Sequence, residues 1–134
     1  MAKTLTLLLM DPPYESANST TAIRMISSAL QKGHNVNVFA YEGAVNLSFA
    51  KQQAHANAVK GTSVEEEEHP LPKDMVSGLF SMVKEGQTLN WINCGLCVDE
   101  RGVGEWVEGP TRGAPADFIK FVDASDNTVV IPTK

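Results

Sequence analysis

The segment NCGLCVDERG, residues 93 to 102, holds both cysteines of the chain, Cys94 and Cys97, with Arg101 and Gly102 just beyond them. Two thiols at this spacing can serve several kinds of chemistry. As a dithiol they would cycle with a disulfide, because a helix start at this point brings the two sulfurs within reach of each other. As half of a zinc site they would need two more ligands. The candidates, His55 and His69, stand fourteen positions apart without the paired spacing of zinc-binding histidines, which disfavours the metal. In sulfur transfer, one thiolate attacks a donor persulfide, carries the outer sulfur and yields it to an acceptor by the same exchange, so only one cysteine is required. Against all three stands the plain alternative that both are small buried hydrophobes. The residues alone leave these readings open.

The elements around the pair bear on the choice. An apolar run, TLNWIN, precedes Cys94, and GLCVDER reads as a short helix that Gly102 stops. A strand leading into a helix places Cys94 at the carboxyl end of a strand, where α/β proteins collect ligands and catalytic groups. The unpaired N–H groups of the first helical turn would favour a thiolate on Cys94. Arg101 would add positive charge, and Asp99 and Glu100 would oppose it. Cys97, one turn further in, is less favourably placed.

Other residues offer weaker signals. Tyr14 and Asn18 lie in the loop after the first apolar run and are expected at the same carboxyl edge, where with Arg101 they would line a substrate pocket. Their simpler role is turn chemistry. His55 and His69 are expected in a solvated loop, with a base near Cys94 as the less ordinary use. His34, after Gly33, fits a helix end, where a cation complements the macrodipole. The run Glu65 to Glu68 reads as a solvated acidic face that could also dock a basic partner. Trp91 is expected in the core or at a subunit interface, and Trp106, in the Gly-rich loop VGEWVEGPTRG, is expected to be exposed and to cover the site.

These groups need a scaffold, and the pattern supplies one. Leu5 to Met10 is a nearly continuous apolar run of the kind found in strands buried on both faces. Ala22, Ile23, Ile26, Ala29 and Leu30 repeat at helical spacing, with Ser19 as the expected N-cap and Gly33 as the stop. NVNVFAY follows as a second strand, completing a βαβ unit with a right-handed crossover. A short helix is expected around Val45 to Gln53, then a polar loop through Glu68. A helix from Pro72 carries Met75, Val76, Leu79, Met82 and Val83 on one side and ends by Gly86. The cysteine strand and helix come next, and a last helix from Pro115 through Val122 leads to a closing strand, TVVIP. Repeated alternation of strand and helix predicts one α/β domain, residues 1–134, with a mainly parallel sheet between two helical layers.

Composition narrows the function. A chain of 134 residues can bury a core without staples, and its formal charge of −5 argues against a nucleic-acid surface. The N-terminal apolar run is too short to span a bilayer and has no cleavage signal, so no membrane association is expected and the cytoplasm is the expected compartment. Its thiols would be reduced there, and the pair reads as chemistry before it reads as a staple. DPPYESANS after the first strand has no glycine, which excludes a P-loop or dinucleotide fingerprint. Exposed aromatics suggest self-association.

With the Leu-rich first strand, the loop and helix DPPYESANSTTAIRMISSAL, the stretch KGHNVNVFAYEGAVN and then LNWINCGLCVDERGV, the chain resembles the DsrE/TusD family of small sulfur-relay proteins. The likeness covers most of the sequence except roughly residues 50 to 75, and the acidic segment SVEEEEHPLPK departs from it. Counted back from Arg101-Gly102, the family's sulfur-accepting cysteine falls on Cys94, with Cys97 an additional thiol. The resemblance implies a flavodoxin-like α/β fold without FMN, no cofactor, and assembly as trimers or hexamers. It also implies a cytoplasmic persulfide carrier whose partners are sulfur-donor and sulfur-acceptor proteins.

Overall fold

The computed structural model describes residues 1–133. Five strands, β1 (Thr4–Leu9), β2 (Asn35–Ala40), β3 (Leu89–Cys94), β4 (Thr111–Gly113) and β5 (Asn127–Ile131), form one sheet in the order β4-β3-β2-β1-β5. Every pairing is parallel, so the sheet is wholly rather than mainly parallel. Its helices are α1 (Asn18–Gln31), α2 (Val64–Glu67), α3 (Pro72–Ser81), α4 (Gly95–Arg101) and α5 (Pro115–Ala124).

The order of strands decides where the helices lie. The chain steps from β1 to β2, β3 and β4 in one direction, and right-handed crossovers then put α1, α3 and α4 on a single face. From β4 it returns across the whole sheet to β5, and the same handedness places α5 on the opposite face. Side-chain contacts agree. Thr6 donates to the Phe121 carbonyl at 3.3 Å and Phe39 packs on Phe118 with ring centroids 5.9 Å apart, so these strand residues look toward α5. Their neighbours Leu7 and Val38 point the other way, into a core shared with Ala22, Ile26, Leu30, Val76 and Leu79.

The α5 face is unlike the first. Asn90 donates to Asn37 at 2.9 Å and Asn37 to Thr6 at 3.4 Å, a polar row across three strands. No residue of α5 is fully buried, and Ile119 and Val130 are 56% and 52% exposed.

Local departures from the sequence reading have identifiable causes. Ser19 does not cap α1: the helix begins at Asn18, and the Ser19 hydroxyl donates back to the Asp11 and Pro12 carbonyls. The expected helix from Val45 to Gln53 is replaced by a 3₁₀ turn over Glu42–Asn46, after which the Gln52 amide bonds the Asn46 and Leu47 carbonyls. The acidic loop contains the single helical turn α2, closed by a capping box between Ser63 and Glu66. β4 lies within what reads as a Gly-rich loop. Its three residues carry no apolar alternation, and it forms because the edge of β3 offers a register partner for each of them. Trp106 is half-buried, bridged to Phe49, with its indole N–H donated to the Val103 carbonyl at 2.7 Å. That contact corrects the expectation of an exposed cover.

Candidate functional site

Cys94 is both the last residue of β3 and the N-cap of α4. Its backbone is extended, φ −60° and ψ 120°, so the chain turns from strand to helix at the sulfur-bearing residue itself. β4 runs beside it with Gly113 as the register partner of Cys94 and Arg112 that of Asn93. β3 continues into α4 and β4 into α5 on opposite faces, so the carboxyl ends of these adjacent strands lie at a point where the connections diverge.

The residue before Cys94 anchors the strand end. Asn93 is fully buried, accepts the indole N–H of buried Trp91 at 3.1 Å, and donates to the buried Ser48 hydroxyl at 3.0 Å. This ties β3 to the segment that follows the 3₁₀ turn. Trp91 is therefore a core residue, one of the two places expected for it.

Both cysteines are free thiols and buried, Cys94 at 2% and Cys97 at 6% exposure. The backbone N–H of Glu42 donates to the Cys97 sulfur at 3.2 Å. Burial first, and a side-chain hydrogen bond with Cys94 second, push the Cys97 thiol up from its ordinary 9.0 to about 11 against the smaller lowering by the Glu42 N–H. At neutral pH Cys97 is thus a thiol. The neighbouring Tyr41 hydroxyl is raised as well, first by the charge Cys97 would carry and then by Glu42.

Arg101 closes α4 by donating to the Cys97 carbonyl at 3.2 Å, and it pairs with Glu42 at 3.4 Å. It therefore acts on the Cys97 end of the helix. Arg101, Glu42, Met10, Pro12 and Asn46 line an open groove along the carboxyl edge. Pro12 is held there by close approach to Gly43, where an added Cβ would sit 2.7 Å from the proline ring.

Tyr14 and Asn18 follow β1 at the same edge, yet other groups hold them. Tyr14, at φ 71°, stands edge-on to His69 with centroids 6.3 Å apart and borders a cavity of about 90 Å³ with Ser16, Pro70 and Met75. Asn18 donates to the buried Asp11 carboxylate at 2.9 Å and to the Pro132 carbonyl at 3.2 Å. Of the three pocket residues expected from sequence, Arg101 is the one whose contacts join it to a cysteine. His55 and His69 are exposed, with ring centroids 6.1 Å apart, and form a cluster with Tyr14. Among the described residues no three His, Cys, Asp or Glu side chains gather as a metal site would need. His34 accepts the Lys3 N–H on Nδ1 at 3.1 Å, so its ring ties β1 to the end of α1.

Arg112 escaped the sequence reading altogether. Its guanidinium lies against Gly95, where a side-chain carbon would fall 2.7 Å from Nε, and it makes a bidentate pair with Asp99 at 3.0 and 2.7 Å. The pair draws the Asp99 carboxyl below its ordinary range and raises the guanidinium, to which the charge of Cys94 contributes last. Only the sequence of β4, too short to read as a strand, could have announced it.

Among the described residues no helix is long and apolar enough to cross a membrane. The fold is shared with the crystal structure of the ychN protein from E. coli, at a TM-score of 0.69 and 16% identity over 98% of this chain and 100% of that one. Two archaeal proteins, both described as uncharacterized, are similar in sequence. One, from Methanocaldococcus jannaschii, is 29% identical over 92% of this chain and 96% of its own length. The other, from Methanopyrus kandleri, is 26% identical over 93% of this chain and 91% of its own. The model of the DsrE/DsrF-like family matches residues 3–131, and the chain belongs to that family.

Proposed function

We propose that this protein is a sulfur carrier of the cytoplasm, accepting sulfur as a persulfide on Cys94 and passing it to a partner protein. Family membership suggests a sulfur-relay role, and the observation that carries the finer reading is the unequal pair of thiols. Cys94 forms the strand-to-helix junction at the carboxyl edge, whereas Cys97, inside the helix, is bonded by the Glu42 N–H and held protonated at neutral pH. Loading takes place as the Cys94 thiolate attacks the outer sulfur of a donor persulfide. The new S–S bond forms on Cys94, the donor S–S bond breaks, and the electron pair leaves with the donor thiolate. An acceptor thiolate removes the outer sulfur by the same exchange. Release through Cys97 would require its thiolate to attack Cys94, expel hydrosulfide and leave a disulfide. A thiol pushed up to about 11 does this slowly at neutral pH, which favours the carrier over a dithiol redox cycle.

Intact-protein mass after incubation with a persulfide donor tests the reading. One added sulfur is expected in the parent and in Cys97→Ser, and none in Cys94→Ser. Sulfur gain by none of them, with ready loss of two hydrogens from the parent under a mild oxidant, makes the protein a dithiol oxidoreductase instead. The 2% exposure of Cys94 favours a second reading, a binding module that kept the fold without the chemistry. That reading requires that thiol reagents fail to label Cys94 in the native state.

The α5 face supports self-association as a homo-oligomer, a trimer or hexamer. A single helix covers it, and Ile119 and Val130 expose most of their apolar surface there. Light scattering of Ile119→Glu is expected to give a smaller particle than the parent. A parent that scatters as a 14.5 kDa monomer at micromolar concentration refutes the assembly.

A further inference from the structure

We infer that Glu42 and Arg101 are positioning residues for Cys97: together they hold the 3₁₀ turn down on its sulfur and keep that thiol from discharging a persulfide on Cys94. The inference rests on the reading of Cys94 as the sulfur carrier. Three contacts close a ring around Cys97. The backbone N–H of Glu42 donates to the Cys97 sulfur at 3.2 Å, Arg101 Nη1 donates to the Cys97 carbonyl at 3.2 Å, and Arg101 Nη2 meets a Glu42 carboxylate oxygen at 3.4 Å. One guanidinium thus ties the residue that covers the sulfur to the backbone of the residue that bears it. The turn, Glu42–Asn46, packs on α4, and Cys97 beneath it is 6% exposed.

The ring restrains a backbone that would otherwise relax. Glu42 sits at φ 52°, in the left-handed region that a residue with a Cβ rarely adopts, and such a conformation persists only where its surroundings impose it. Its ion pair is partly exposed, 29% for Arg101 and 47% for Glu42, in the open groove at the carboxyl edge, where a docking partner reaches both groups. What the turn withholds is a definite reaction. In the loaded protein the Cys97 thiolate attacks the inner sulfur on Cys94, a Cys94–Cys97 bond forms, and the outer sulfur leaves with its electron pair as hydrosulfide. The two thiol sulfurs are oxidised to a disulfide, the outer sulfur is reduced, and the Cys97 proton passes to solvent. Cover by the turn suppresses this step, because a dry thiol ionises poorly and burial is the largest cause that pushes Cys97 up to about 11. Opening lets water reach the sulfur; it also removes the Glu42 N–H, whose opposing effect is the smaller one. The charged and titratable groups that face Cys97 are Cys94 from β3, Tyr41 and Glu42 from the end of β2, and Arg101 from its own helix.

The first test follows Cys97 alkylation by iodoacetamide against pH in the Cys94→Ser protein, by mass. Glu42→Gln and Arg101→Gln are each expected to move the profile to lower pH and to speed the reaction at neutral pH by about two- to fivefold, the ratio that a partly exposed ion pair can hold. The double variant is expected to be no faster than either single one, since both remove the same pair. High salt is expected to speed the parent and to leave Glu42→Gln unchanged. A mere field effect on the thiol would speed Glu42→Gln, by removing an anion, and slow Arg101→Gln, by removing a cation. Opposite shifts therefore overturn the inference, as do profiles that superimpose. General loosening of α4 would also speed Cys94 in the Cys97→Ser background, so a gain of equal size there overturns it too. The second test loads the protein from a persulfide donor, removes the donor and follows intact mass. Both variants are expected to lose the added sulfur as hydrogen sulfide faster than the parent, ending as the disulfide, and to match the parent in the Cys97→Ser background. Failure of every variant to gain sulfur would sink the carrier, while the labelling result still decides the role of Glu42 and Arg101; loading with indifferent labelling would do the reverse.

Discussion

Replacing Asn93 by alanine should cost more than any substitution at an exposed site, because two buried partners lose their hydrogen bonds at once. Trp91, at 1% exposure, would keep its indole N–H without the Asn93 oxygen, and the fully buried Ser48 hydroxyl would lose the amide donor. Leaving one buried polar group unpaired costs about 1–3 kcal/mol, so the pair and the small cavity together put Asn93→Ala at roughly 3–4 kcal/mol. For a chain of this length that lowers the melting temperature by roughly 10 °C. Ser48→Ala leaves a single amide donor unsatisfied and should cost about half as much. In a double-mutant cycle by urea denaturation, the combined variant should fall short of additivity by about 1 kcal/mol, since the Asn93–Ser48 bond is removed once. A cost below about 1 kcal/mol for Asn93→Ala, or strict additivity with Ser48→Ala, would show that water or other groups satisfy these atoms. The claim that Asn93 anchors the end of β3 would then fail.

Two further outcomes follow from other contacts. The folded protein holds the Cys97 proton to about pH 11, whereas an unburied thiol ionises near 9.0. The stability linked to that proton is complete below pH 9.0 and is lost as pH rises through 11, so denaturation midpoints should drop over this window in the parent and less steeply in Cys97→Ser; equal slopes refute it. Gly43→Ala drives a methyl to within 2.7 Å of the Pro12 ring and should cost about 1–3 kcal/mol, much of it recovered in the Pro12→Ala, Gly43→Ala double variant; a double variant no better than the single one would place the strain elsewhere.

Much of the scaffold was legible because its signals are local. Helical spacing from Ala22 to Leu30, apolar runs in β1 and β3 and Pro72 and Pro115 in the first turns of α3 and α5 each depend on neighbours a few residues away, and each element formed where the pattern places it. The position of Cys94 at a strand-to-helix junction was legible for the same reason. What the chain segment itself does not encode is which strand edge waits for it. Thr111–Gly113 becomes β4 only because β3 offers a free edge, and Arg112 reaches Gly95 and Asp99 only through that pairing. Likewise Ser19 looks like a helix cap in sequence, yet the loop after β1 folds back and claims its side chain. The order of strands decided the rest: the return from β4 to β5 put α5 alone on one face, set Cys94 beside a divergence of connections, and placed Arg101 on the Cys97 carbonyl while Arg112 came to Gly95 and Asp99. Sequence determined the elements and the place of Cys94 at the end of β3, since these rest on short-range physics; long-range pairing determined which side chains meet around that strand end.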